Sequence, residues 1–85
     1  LTALSIPSGN AGTTLTILLG ESRRVTAFFT AEDATGYTIA FYDGNGQKLS
    51  EEALQSGRCT ENPAAAIAVI TFGGGSITIS EILAD

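Results

Sequence analysis

Residues Val25 to Leu49 read V-T-A-F-F-T-A-E-D-A-T-G-Y-T-I-A-F-Y-D-G-N-G-Q-K-L, and this stretch decides the fold class. Two runs rich in β-branched and aromatic residues flank an acidic connector that carries Gly36, and the second run closes at Asp43-Gly44-Asn45-Gly46. Such runs fit a pleated, half-buried surface, and Asx-Gly steps provide the positive φ angles of a hairpin. Val25, Ala27 and Phe29 share one face of the first run and Phe28 takes the other. In the second, Tyr37, Ile39 and Phe41 alternate with Thr38, Ala40 and Tyr42. Gln47 to Leu49 is then placed to return antiparallel.

The same signals extend in both directions. Leu4 and Ile6 belong to a short apolar start that Pro7-Ser8-Gly9-Asn10 ends. Thr13 to Leu19 alternates Leu15, Ile17 and Leu19 with threonine, and Glu21-Ser22-Arg23 reads as a polar turn before the next strand, Arg24 to Thr30. Ser50 to Gly57 is the one helix-like segment: Ser50 as a cap, Glu51-Glu52 in the first turn, Gly57 as a stop, so a short helical turn is expected near residues 51–56. After a break at Asn62-Pro63, Ala65 to Phe72 is almost continuously apolar, the pattern of a central strand covered on both faces. Gly73-Gly74-Gly75 reads as a mobile turn before Ser76 to Leu83. About seven short strands at intervals near ten residues predict an all-β antiparallel sandwich or small barrel, with residues 1–85 as a single domain.

Composition bounds the function. Eighty-five residues leave a marginal core, since a chain of this size buries only about 60–65% of its unfolded surface. Only 15% of residues are charged against roughly a quarter in ordinary soluble domains, while 44% are apolar. Some apolar surface is therefore expected outside, where it marks a partner; a compact Ala- and Thr-rich domain with a bland surface is the other reading. The net charge of −5, with Arg23-Arg24 the one basic pair, opposes phosphate backbones and anionic membranes alike. No apolar run reaches the length of a membrane span of about 18 residues. No basic segment precedes an apolar stretch, so no secretory signal is expected in these residues. Leu1 in first place and the absence of Met suit a processed product or a fragment.

The chemistry-bearing residues are sparse. There is no His for general acid–base work. Cys59 stands alone, which excludes an internal disulfide and leaves a small buried hydrophobe or an intermolecular bridge. Glu32-Asp33 and Glu51-Glu52 are adjacent carboxylates whose side chains diverge, so they do not form a facing catalytic pair. Asp43-Gly44-Asn45-Gly46-Gln47 has alternate oxygen donors like the start of a calcium loop, but Leu54 stands where the twelfth-position Glu belongs, and a hairpin turn explains the residues. No Lys-Ser/Thr follows the Gly triplet, so it is no phosphate cradle. Tyr37 and Phe41 are expected in the core and Tyr42 as an exposed aromatic; a sugar-stacking platform is the alternative use of these rings. The chain is accordingly expected to be no enzyme and to need no cofactor or metal.

One resemblance is carried by Val25-Thr26-Ala27-Phe28-Phe29-Thr30, Asp33, Thr35-Gly36-Tyr37 and Phe41-Tyr42-Asp43-Gly44-Asn45-Gly46, about a third of the chain. A strand, an acidic connector, a T-G-aromatic strand start and an F-x-D-G-x-G hairpin resemble the β-sandwich modules of tailed-phage baseplate and tail-fibre proteins, a type that recurs in bacterial surface and pilus proteins with immunoglobulin-like folds. The resemblance implies a structural or attachment role and brings no catalytic residues. Ala64-Ala65-Ala66 and the helix-like segment at Ser50 depart from that pattern.

These readings converge on a structural protein that works through contacts between copies of itself and with other structural proteins, in a virion or an extracellular or cell-surface filament. The terminal strands Leu1–Ile6 and Ile77–Leu83 are the expected contact segments, with Leu4, Ile6, Ile77, Ile79, Ile82 and Leu83 as candidate interface residues. The competing expectation is a monomeric carbohydrate- or protein-binding module of a larger surface protein.

Overall fold

The computed structural model describes residues 2–31, 36–54 and 60–85. Six strands occur among them: β1 Thr2–Ile6, β2 Thr14–Ala31, β3 Thr38–Tyr42, β4 Lys48–Ala53, β5 Thr60–Thr71 and β6 Ile77–Ala84. They form one antiparallel sheet in the order β1-β6-β2-β5-β3-β4. The all-β class expected from the sequence is therefore present, with six strands where about seven were expected.

The difference lies in β2. The runs Thr13–Leu19 and Arg24–Thr30 belong to one strand of 18 residues, and the polar stretch between them is a bulge rather than a turn. Leu18 pairs with Ile67 and Arg23 with Ala65, so four residues of β2 stand opposite Ala66 alone. Gly20 takes a φ of 82° there, a left-handed conformation that glycine adopts without penalty. A straight strand of this length would reach about 60 Å, yet the longest dimension of the molecule is 31 Å. β2 must therefore bend, and the bulge supplies the place.

β5 carries a matching irregularity. Arg23 pairs with Ala65 and Val25 with Asn62, leaving Pro63 and Ala64 opposite Arg24. A proline has no N–H to give a ladder and is tolerated at such a bulge. The strand thus continues, irregularly, through Asn62-Pro63, which reads in the sequence as a break. Asn62, itself buried, holds the irregularity: its Oδ1 accepts from the Ala64 N–H at 3.0 Å, and its Nδ2 donates to Ser50 Oγ at 3.0 Å.

Because the long strands bend, the sheet folds over on itself around one core. Val25 and Ala27 from β2, Ile39 and Phe41 from β3, Ala65, Ala68 and Ile70 from β5, and Ile77, Ile79 and Ile82 from β6 all join it, with Ile6, Tyr37 and Leu54. Each fully buried large apolar side chain contributes about 1.5–3 kcal/mol relative to exposure. β5 is central: Ala65, Ala66, Ala68 and Ile70 are buried, and Ile67 and Val69 are half-buried. Ala65 and Ala66 are neighbours that face opposite sides, so cover reaches both faces there and is partial farther along, at Ile67 and Val69.

Residues 51–53 are strand, not helix. Glu52 pairs with Ile39 and Ser50 with Phe41, and Leu54 N donates to the Tyr37 carbonyl at 2.9 Å. A helix of fewer than two turns gains little alone, while the free edge of β3 offers a full ladder. Gln55 to Gly57, the rest of that expected helix, lies outside the described residues, as do Leu1, Glu32-Asp33 and Cys59.

Candidate interaction surface

Five of the six residues expected at an interface belong to the core or its margin. Ile6, Ile77, Ile79 and Ile82 are buried and Leu4 is half-buried against them; Leu83 alone is exposed. The expectation of an outward contact set here is corrected by a bulge in β6. Phe28 pairs with Glu81 and Phe29 with Ile79, so Ser80 is the extra residue. The extra residue restores Ile82 to the inner face with Ile77 and Ile79, although their spacing in the sequence breaks alternation. What these terminal strands offer a partner is backbone edge and Leu83, not the isoleucines.

The expected core aromatics Tyr37 and Phe41 are fully buried, and Tyr42, expected exposed, is half-buried. Tyr37 stacks on Phe72 with ring centroids 5.9 Å apart, and its hydroxyl donates to the Gly75 carbonyl at 2.6 Å. Gly9 N donates to the Gly74 carbonyl at 3.0 Å, so the Gly triplet is tied from two sides. Gly36 completes the cluster: it has a φ of 83°, and a Cβ built on it would stand 3.3 Å from the Gly73 Cα.

The Asp43 segment is a hairpin turn. Asp43 Oδ1 accepts from the N–H groups of Asn45 and Gln47, both at 2.9 Å, and the Gly46 N–H reaches the Asp43 carbonyl at 3.1 Å. Of the two glycines only Gly46 has positive φ, which together with these bonds gives a three-residue hairpin loop. The carboxylates of Glu51 and Glu52 sit on opposite faces of β4, since they pair with the successive residues Ala40 and Ile39 of β3. Among the described residues no three His, Cys, Asp or Glu side chains converge as metal ligands, and no helix is long and apolar enough to cross a membrane.

The surface is most distinctive for its apolar residues and its edges. Leu18 is 74% exposed, Leu49 and Leu83 each 45%, and Phe28 39%. The register sets Leu18, Ile67 and Tyr42 in one row across β2, β5 and β3, on the outer face. Phe28 and Leu83 share the outer face of β2 and β6, beside Glu81 and Glu61. Among the described residues both ends of the sheet, β1 and β4, are open edges. β4 is guarded by charge, with Lys48 and Glu51 paired at 3.3 Å and Glu52 beside them. β1 carries no charge.

β2 carries a third open edge. β6 pairs with β2 only from Val25 to Ala31, so Thr14 to Leu18 has a partner in β5 and none on its other side among the described residues. The signal in the sequence was the run T-T-L-T-I-L-L, which lacks the charge or proline that blunts an exposed edge. Set against known proteins, the chain matches no family model, no curated protein and no solved structure.

Proposed function

We propose that this chain is a structural module that acts by associating with copies of itself, in a virion or an extracellular filament. The observation that carries the reading is the coincidence of uncharged open edges with uncovered apolar side chains in a chain only 15% charged. An unpaired row of N–H and C=O groups is a template for another strand, and apolar neighbours add the area that makes pairing favourable. A domain this small gains from such contacts because an interface supplies burial its own core lacks.

Size-exclusion chromatography with light scattering across a concentration series tests this. Association into dimers or larger species at micromolar concentration is expected. A mass that stays monomeric throughout favours instead a displayed binding module, for which the outward Phe28 and Leu83 pair beside Glu81 would be the first surface to probe.

A further inference from the structure

We propose that the open edge of β2 at Thr14–Leu18 pairs antiparallel with the same edge of a second copy, with the two-fold axis at Thr16. This rests on the assembly reading above and names the edge responsible. The ladder fixes which groups are free. Phe72 N donates to the Thr13 carbonyl at 2.8 Å, so that carbonyl faces β5, while the Thr13 N–H turns back to the Asn10 carbonyl at 3.1 Å and the Gly12 N–H takes the Phe72 carbonyl at 3.0 Å. Successive residues of a strand point their N–H and C=O to alternate sides, which directs those of Leu15 and Ile17 to β5 and those of Thr14, Thr16 and Leu18 to the open side.

A two-fold at Thr16 satisfies every one of these groups. Thr16 meets its own copy, and Thr14 meets Leu18 on each side of the axis. The same register keeps faces matched: Leu15 stands opposite Ile17 of the second copy, both on the core face. Leu15, Ile17 and Leu19 are only half-buried against the core, and Leu18 is 74% exposed, so apolar cover is incomplete where a second strand would lie.

Charge favours a second copy as the occupant of this edge. With a net charge of −5, two copies repel wherever acidic residues meet. From Thr13 to Gly20 there is no charged residue, and Glu21 falls beyond the paired stretch, opposite Ala11. β4 fares worse, because self-pairing about its centre brings Glu51 and Glu52 of both copies together. β1 is likewise uncharged and five residues long, but its Ile6 is buried and its Leu4 half-buried, whereas Leu18 on the β2 edge stands 74% exposed.

The test compares the full-length chain with Thr16→Lys and with Ser5→Lys, the latter on the β1 edge, by light scattering across concentration. Circular dichroism checks that strand content is kept. Thr16→Lys sets two ammonium groups across the axis and is expected to raise the dissociation constant about tenfold or more, while Ser5→Lys leaves it unchanged. In the native chain, the amides of Thr14, Thr16 and Leu18 should exchange slowly at high concentration and freely on dilution, a readout that needs no variant to fold. If the native chain associates but Thr16→Lys does not weaken it, or those amides exchange alike at both concentrations, the edge assignment is overturned and the assembly reading stands. A native chain that is monomeric at every concentration overturns both. Protection of these amides only when a foreign extended peptide is added would give the edge to a peptide ligand and likewise overturn self-pairing.

Discussion

Tyr37 shows what a single side chain does in this molecule. Its ring fills the core against Phe72, and its hydroxyl reaches the Gly75 carbonyl, thirty-eight positions away in the chain. Alternation with Ile39 and Phe41 is enough to put the ring inside, because period two is written in neighbouring residues. The hydroxyl's partner was not legible, since it depends on how the end of β5 comes past the start of β3. Tyr37→Phe keeps the ring and removes the bond, so chemical denaturation should show a loss of about 0.5–1.5 kcal/mol, with the stranded carbonyl pushing toward the upper end. Thr60 offers the opposite case. Its Oγ1 is buried with no hydrogen-bond partner among the described residues, so the hydroxyl has lost water and gained nothing in return. Thr60→Val keeps the shape and drops that group; we expect the same measurement to show stability raised by about 1 kcal/mol.

At the scale of elements, the sequence was legible wherever a strand is regular and misleading wherever one is bulged. β3 and its hairpin were foreseen from Tyr37 to Gly46 almost residue by residue. β2 reads as two strands parted at Gly20-Glu21-Ser22-Arg23 because a bulge uses the same polar and glycine residues as a turn. Ser50-Glu51-Glu52 in β4 satisfies local capping rules and so reads as a helical turn, whereas the competing ladder on β3 is a tertiary fact. In β6 the spacing Ile77, Ile79, Ile82 reads as imperfect alternation, and only the bulge at Ser80 accounts for the burial of all three. The bulge makes a sharp prediction. Deleting Ser80 removes the extra residue and leaves Ile77, Ile79 and Ile82 on the inner face, so the fold should persist with a modest loss from the displaced pairing of Thr2 with Glu81. Deleting Thr78 instead, two residues earlier, puts Ile77 and Ile79 on opposite faces and expels at least one isoleucine, a loss of about 1.5–3 kcal/mol or more. Thermal melts of the two deletions should separate clearly, and equal melts would show that β6 tolerates slippage.

For the molecule as a whole, two opposed quantities govern whether copies meet: an acidic net charge and an edge that carries none of it. Two bodies of charge −5, placed with centres about 25 Å apart in water, repel by roughly 4 kcal/mol before screening. At about 0.01 M salt the Debye length is near 30 Å and much of that repulsion survives, whereas at about 0.15 M it falls near 8 Å and little does. The attraction at Thr14–Leu18 is of another kind, built from main-chain hydrogen bonds and apolar contact, with no ion pair for salt to weaken. Association should therefore tighten as salt is added, on the order of tenfold between those two conditions. Sedimentation equilibrium at both ionic strengths reads this directly. Had opposite charges held the copies together, for instance Arg23 or Arg24 of one against Glu51 or Glu52 of the next, the same increase would loosen them, so the sign of the salt effect distinguishes an uncharged edge from an ionic contact.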